Sequence, residues 1–319
     1  MLFPPKSNVW SRKSAGGGLS MTKRKVGVVG LGNMGGGIAR NFQKSGVPLA
    51  VWDIRPAAYA VFDRVAGVDI VPPGEMAATC NVIFFVVPAT PEIESCFEGE
   101  DGVLARAAEG LVVYDFTTSD PIATKKLAAR AATRGITYLD AGMSGGATGA
   151  DAGTLTLMIG GDREALDRTR ALLAPIADRI FYLGNSGAGH TMKLIHNMVC
   201  HTIFLATCEG GRMAEAAGIS LGDMIDVFNV ANARSYASEV RFPKHILSGK
   251  WDARSRVYNL RKDLSMAVRL AGALGTRVPL GTVTRNFLEE AIAHGMADTD
   301  YSRLYERFHE IVAELGDSK

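Results

Sequence analysis

Residues 25–35 read KVGVVGLGNMG, and this stretch decides the fold. Residues 25–30 form a short apolar run of the buried-strand type. Gly30, Gly32 and Gly35 then follow in the spacing GxGxxG, with Asn33 and Met34 inside the turn. Glycine-rich spacing alone is weak, because ordinary tight turns also use glycine. The setting is more specific. A helical pattern occupies residues 36–45, and a second apolar run, residues 49–53 (LAVWD), ends on Asp53. Strand, glycine-rich turn, helix and acid-tipped strand is the arrangement that holds a dinucleotide. Gly30 permits the turn, Gly32 lets backbone approach a pyrophosphate, and Gly35 lets the helix close on the sheet. The pyrophosphate would meet free N–H groups at the helix N-terminus.

Asp53 lies 23 residues after Gly30, where a carboxylate can accept from the adenosine ribose hydroxyls. That favours NAD, since a 2′-phosphate would meet like charge. Arg55 pulls towards NADP, because a guanidinium can accept the same phosphate. The rest of the cofactor should lie at the carboxyl ends of later strands. Val87 and Pro88 end one apolar run, and Thr117 and Thr118 follow the LVVYD run of residues 111–115. Thr118 could equally cap the helix that begins at Pro121.

Further apolar runs stand at residues 81–87, 137–140, 155–160 and 180–183, with helical patterns at 121–134 and 163–173. Short apolar strands alternating with helices imply a mostly parallel sheet covered on both faces. The period then changes. Residues 187–218 read as one long helix that is apolar nearly all round, and only helical patterns follow it, including 281–295 and 301–315. The expected architecture is an α/β Rossmann domain at residues 25–186, joined through a long helix to an all-α substrate and oligomerisation domain at 187–319. Residues 1–24 read as a disordered leader or a misassigned start, with Met21 the alternative first residue.

The chain has 319 residues, 47% hydrophobic and 21% charged, which excludes wholesale disorder and leaves room for two cores. Its formal charge is +2. Lys6, Arg12, Lys13, Lys23, Arg24 and Lys25 open the chain without an acid. Removing these six from 35 basic residues leaves 29 against 33 acidic, a body of −4. The apparent basicity therefore gives no reason to expect a nucleic-acid partner. Cys80, Cys96, Cys200 and Cys208 match no zinc or redox spacing. No apolar stretch is long enough to span a membrane, and a cytoplasmic location is the simplest expectation. The basic leader leaves organelle targeting as an alternative.

Hydride transfer at a hydroxyl needs a partner proton transfer. The six histidines (His190, His196, His201, His245, His294 and His309) form no tight ligand set, so no metal is expected. Lys193 stands near the start of the long helix in apolar surroundings, with Asn197 four residues on and roughly 6 Å along the axis. A lysine in a partly dry cleft has a lowered pKa and can exchange a proton with a substrate oxygen. A snorkelling surface lysine is the rival reading. Asn197 could hold the same oxygen, while His196 is better read as structural. Residues 140–146, DAGMSGG, follow a strand; Ser144 and the N–H groups of Gly145 and Gly146 could cradle an anion, or form an empty turn. Met143 joins them as a substrate contact. Lys262 either reaches a cleft or is a solvated helix residue. Arg234, Arg241, Arg254 and Arg256 are candidates for a second anionic group or for subunit contacts.

These pieces, taken in order, resemble the β-hydroxyacid dehydrogenase family, which includes 3-hydroxyisobutyrate dehydrogenase and tartronate semialdehyde reductase. The resemblance rests on GLGNMG (30–35), Val87-Pro88, DFTTSDP (115–121), DAGMSGG (140–146), GTLTLMIGG (153–161), GAGHTMKLIHN (187–197) and Lys262-Asp263-Leu264. It implies that Lys193 is the catalytic lysine and Asn197 its helper. It further implies that Ser144, Gly145 and Gly146 bind the substrate carboxylate, and that Thr118 and Lys262 meet the cofactor. A homodimer or homotetramer around the long helix is expected, acting on a small carboxylate-bearing substrate. The chain departs from the family at Gly142, Met143, His190 and His196, where Pro, Val, Gln and Asn are more usual. Those changes bear on the substrate. An aldehyde or imine reductase of the same fold and a non-catalytic dinucleotide-binding protein are the alternatives. Imine reductases usually lack the lysine, so Lys193 counts against them.

Overall fold

A computed structural model of the chain describes residues 9–11 and 25–315. It divides into two compact units, Met1–Lys193 and Leu194–Lys319.

The first unit is built on a nine-stranded sheet among the described residues. Its strands are β1 (Val9–Ser11), β2 (Val26–Val29), β3 (Leu49–Trp52), β4 (Val68–Ile70), β5 (Val82–Phe85), β6 (Val112–Asp115), β7 (Thr137–Ser144), β8 (Leu155–Gly160) and β9 (Ala177–Gly184). Their order is β1-β9-β8-β7-β6-β5-β2-β3-β4. The pairs from β4 through β7 are parallel; β7–β8 and β1–β9 are antiparallel. The central strands are buried on both faces, which is why they read as unbroken apolar runs: β2 and β5 have no exposed residue. One face packs on Ile38, Phe42, Leu166 and Leu173, and the other on Met76, Phe97 and Leu127. Strand order reverses at β2, with β3 on one side and β5 on the other. A ligand crevice forms at such a switch point, beyond the carboxyl ends of the strands.

Three sequence expectations are corrected here. First, part of the presumed leader is ordered. Val9–Ser11 pairs with β9, and Trp10 packs against the core with the Arg163 guanidinium 4.6 Å over its ring. The rest of residues 1–24, with Met21 and the leader cations Lys6, Arg12, Lys13, Lys23 and Arg24, lies outside the described residues. Second, β7 does not stop at Asp140 but runs to Ser144, because its second half finds an antiparallel partner in β8. Third, residues 301–315 are not one helix. A 3-10 turn, Tyr301–Leu304, precedes a helix at Phe308–Leu315. Arg212 takes the carbonyls of Tyr305 and Glu306 for its guanidinium, at 3.0 and 2.7 Å, which ties the break down.

The long helix runs from Ala188 to Ala216. Its first turns, as far as Lys193, belong to the sheet unit. The second unit is helical. It comprises the rest of that helix, Leu221–Val230, a π-helical segment at Ala237–Leu247, Val257–Ala273, Pro279–Ala293 and the elements just described. Phe204, Phe242, Leu264, Leu288 and Ile311 are fully buried in its core.

Candidate functional site

The carboxyl ends of β3, β2, β5 and β6 stand side by side. Gly30 N–H donates to the Trp52 carbonyl at 2.8 Å, Val86 N–H to Val29 at 2.8 Å, and Phe116 N–H to Phe85 at 2.8 Å. Asp53, the glycine turn, Val87-Pro88 and residues 117–119 therefore share one edge. Within the turn, Gly30 has φ +89° and Gly35 lies against its carbonyl; a β-carbon at Gly35 would stand 1.8 Å from the Gly30 oxygen. No substituted residue fits there. Gly32 differs, since a β-carbon there would meet nothing within 4 Å. Nothing within the described chain demands glycine there, and the helix Gly35–Lys44 starts without a side-chain cap. Exposed Asn33 and half-buried Met34 complete the turn. An open backbone face at an uncapped helix start fits a dinucleotide pyrophosphate.

Asp53 is buried and closely held. Its Oδ2 accepts from Leu31 N–H at 2.8 Å, and its Oδ1 accepts from Arg55 N–H at 2.9 Å and Arg55 Nε at 3.2 Å. Burial pushes the carboxyl up, but the Arg55 side chain and the two backbone donors outweigh it, and the group ionises below its ordinary range. Asp53 thus locks the glycine turn to the end of β3 and holds Arg55 at the rim.

At the end of β6 the helix cap is Asp120, whose side chain accepts from Ile122 N–H ahead of Pro121. Thr118 is not the cap, and its side chain is half-buried. The flanking Thr117 and Ser119 hydroxyls are sealed from solvent with no hydrogen-bond partner among the described residues. Sequence reading missed Ser119. Native folds pair buried hydroxyls, so two orphans beside Thr118 mark a place where a bound polar group would complete the bonding.

The strand β7 alternates. Gly142 and Ser144 share one face, whereas Met143 points the other way and is buried in the sheet core. Met143 is therefore corrected from substrate contact to core residue. A β-carbon at Gly142 would stand 2.5 Å from Lys193 Cβ, so the strand presses its bare backbone against the lysine's stem. Half-buried Ser144 follows on that face, and exposed Gly145 and Gly146, with φ +123° and +60°, turn the chain into the helix Gly146–Ala152. Asp140 anchors the long helix to β7: its Oδ1 accepts from Gly187 N–H at 2.7 Å and its Oδ2 from His190 N–H at 2.9 Å.

His190, three residues before Lys193 on the long helix, is fully buried. Its Nε2 donates to the Asp115 carbonyl at 3.0 Å, and its Nδ1 lies 2.8 Å from Thr124 Oγ1, which also reaches the Asp120 carbonyl at 3.0 Å. The Asp115 carboxylate accepts from Tyr138 at 2.6 Å and from Thr117 N–H at 2.9 Å. Burial pushes Asp115 above its ordinary range, against the opposing pull of His190, Tyr138 and Thr117. This network ties residues 115–120 to the helix turn that carries Lys193.

In the helical unit, Asn197 is buried with its amide fixed. Nδ2 donates to Asp263 Oδ2 at 2.6 Å, and Oδ1 accepts from His196 Nδ1 at 3.0 Å. Lys262 Nζ lies 3.5 Å from Asp263 Oδ1. Asp263, which the sequence offers only as part of the Lys262-Asp263-Leu264 motif and without a role, thus joins Asn197 to Lys262; no local pattern could reveal a partner 66 residues away. Among the described residues, no group of three His, Cys, Asp or Glu side chains could hold a metal ion. Among the described residues, no helix is long and apolar enough to cross a membrane.

Residues 25–184 match the family described as the NAD binding domain of 6-phosphogluconate dehydrogenase. Residues 187–308 match the family described as NAD-binding of NADP-dependent 3-hydroxyisobutyrate dehydrogenase. The chain is 31% identical over 291 residues to the 3-hydroxyisobutyrate dehydrogenase of Pseudomonas aeruginosa, covering 88% of this chain and 95% of that enzyme. It is 30% identical over 278 residues to the 2-(hydroxymethyl)glutarate dehydrogenase of Eubacterium barkeri, covering 87% and 92%. The solved structure of Mycobacterium tuberculosis 3-hydroxyisobutyrate dehydrogenase with L-serine superposes with TM-score 0.80 at 28% identity, covering 89% of this chain and 99% of that one. The chain belongs to the β-hydroxyacid dehydrogenase family and is an NAD-dependent oxidoreductase with a Rossmann NAD(P)-binding domain.

Proposed function

We propose that the enzyme reversibly oxidises a small β-hydroxyacid of the 3-hydroxyisobutyrate type. The observation that carries this reading is the contact of Gly142 with Lys193 Cβ, which brings the lysine to the strand face that continues into Ser144, Gly145 and Gly146. The cofactor, when bound, supplies the hydride acceptor, or the donor in the reverse direction. Gly30, Gly32, Asn33, Met34 and Gly35 would hold its pyrophosphate, Asp53 and Arg55 its adenosine ribose, and Val87, Pro88, Thr118 and Lys262 its remaining groups. Asp53 favours NAD, and its pairing with Arg55 limits the charge available against NADP.

Lys193 takes the proton from the hydroxyl oxygen as hydride leaves the carbon that bears it, and returns a proton to that oxygen in the reverse direction. Asn197, its amide oriented by Asp263 and His196, holds the reacting oxygen. The Ser144 hydroxyl and the N–H groups of Gly145 and Gly146 bind the carboxylate. A primary β-hydroxyl gives a semialdehyde. A panel of β-hydroxyacids and semialdehydes run with NAD and NADP tests this reading. Turnover of a β-hydroxyacid, strongly reduced in Lys193→Ala, is expected; unchanged turnover in that variant would sink the mechanism.

Assembly into a homodimer or homotetramer is proposed as well. Ile195, Val199 and Ile203 follow one another on the long helix and stay exposed at 44, 49 and 39% within one chain. Light scattering on the purified chain reads the mass directly. Four free cysteines suit a reducing, cytoplasmic setting, which cell fractionation would check.

A further inference from the structure

Arg241 sits in the π-helical segment Ala237–Leu247, in the helical unit. Its guanidinium lies 5.1 Å from the Tyr301 ring centroid, 5.7 Å from Tyr236 and 5.8 Å from Phe204. Nη1 is sealed from solvent and has no hydrogen-bond partner among the described residues. Other arginines of this unit are matched to acids: Arg234 to Glu239, Arg256 to Asp298 and Arg303 to Glu306. Aromatic faces attract the cation, but they do not accept its N–H groups in the plane of the fork. A half-buried guanidinium with an unused in-plane donor has the geometry of a receptor for a planar anion. Tyr236 is 56% exposed, so the cluster reaches the surface.

The location narrows the ligand. Phe204 lies seven residues after Asn197 on the same helix, hence on nearly the same face and roughly 10 Å along the axis. Both residues belong to the helical unit. Resting on the dehydrogenase reading above, we infer that Arg241 binds a second carboxylate of the substrate. The preferred substrates are then dicarboxylic β-hydroxyacids. A π-helical insertion at this place fits such a role, since these segments recur at functional sites.

Glutarate, which has two carboxylates and no hydroxyl, tests the site without turnover. Isothermal titration into the full chain should show glutarate binding more tightly than butyrate. Arg241→Gln should weaken glutarate about 10-fold to 100-fold, and Lys193→Ala should keep the glutarate preference. Arg241→Lys keeps the cation but loses the fork, and should weaken glutarate by roughly tenfold; this variant carries the test if Arg241→Gln does not fold. In kinetics, the ratio of kcat/KM for 2-(hydroxymethyl)glutarate over 3-hydroxyisobutyrate should fall in both variants. No glutarate binding by the wild type, or equal affinity in the variants, overturns the inference. So does a change of oligomeric mass in Arg241→Gln with glutarate affinity intact, which would make Arg241 a subunit contact. Arg241-dependent glutarate binding without turnover of any β-hydroxyacid would leave the anion site standing and remove the dehydrogenase reading instead.

Discussion

Gly142 and Lys193 meet so closely that a β-carbon on the glycine would stand 2.5 Å from Lys193 Cβ. The neighbour is the base of the lysine side chain, not its flexible end, so relief requires the helix or the strand to move. Gly142→Ala should cost about 1–3 kcal/mol, as overpacking typically does. It should also shift the Lys193 ammonium relative to Ser144. Misplacement of about 1 Å can cost on the order of 100-fold in rate, so kcat should fall much further than stability. Thermal unfolding and steady-state kinetics on one preparation separate the two effects. Equal kcat in Gly142→Ala would show that this contact does not set the lysine's position.

His190 and Thr124 pose a different question, that of donor count. Nε2 must carry hydrogen because the Asp115 carbonyl only accepts, so the Thr124 hydroxyl proton is shared between His190 Nδ1 and the Asp120 carbonyl. His190→Leu strips both ring contacts in a fully buried place and should destabilise the chain by about 2–4 kcal/mol. His190→Gln can restore one donor and one acceptor, and should recover more than half of that loss. Chemical denaturation of the three proteins reads the series. A Leu variant as stable as the Gln variant would mean that shape alone, not bonding, fills this position.

The nucleotide half was legible because its signals are local. Strand, turn, helix and Asp53 lie within 29 contiguous residues, 25–53, and each needs only its neighbours to take its conformation. The reading failed where a distant partner decides. Met143 looked like a loop contact because β7 was ended at Asp140. The pairing with β8 extends the strand, and alternation then turns Met143 into the core. Likewise the Asn197–Asp263 bond and the orphan hydroxyls of Thr117 and Ser119 follow from tertiary packing that no spacing encodes. Val9–Ser11 was missed for the same reason, since an edge strand of three residues has no periodicity to detect.

That edge strand makes its own prediction. Trp10 carries the Arg163 guanidinium at 4.6 Å and Arg170 at 5.0 Å. Trp10→Ala removes both cation–π contacts and the packed ring, and should cost roughly 1–3 kcal/mol. The loss should be local. Hydrogen exchange should rise at Arg179, Ile180 and Phe181, the partners of β1, and stay unchanged in β2 and β5. Unaltered exchange in β9 would mean that β1 is not paired in solution.

The pH dependence at Asp53 has a defined sign. Its carboxyl ionises below the ordinary 3.8 in the folded chain, chiefly because Arg55 and two backbone donors overcome the cost of burial. A lowered folded value means that the unfolded chain binds protons first as acid is added. The stabilisation is therefore complete above about pH 4 and is lost as pH falls through the folded value. Asp53→Asn should be less stable than wild type at pH 7, and the gap should close below about pH 4 in paired urea titrations. Because the same bonds hold the glycine turn, the variant should also bind NAD more weakly at pH 7 and show a smaller preference for NAD over NADP. A stability gap that persists unchanged at pH 3 would assign the defect to lost shape, not to lost charge.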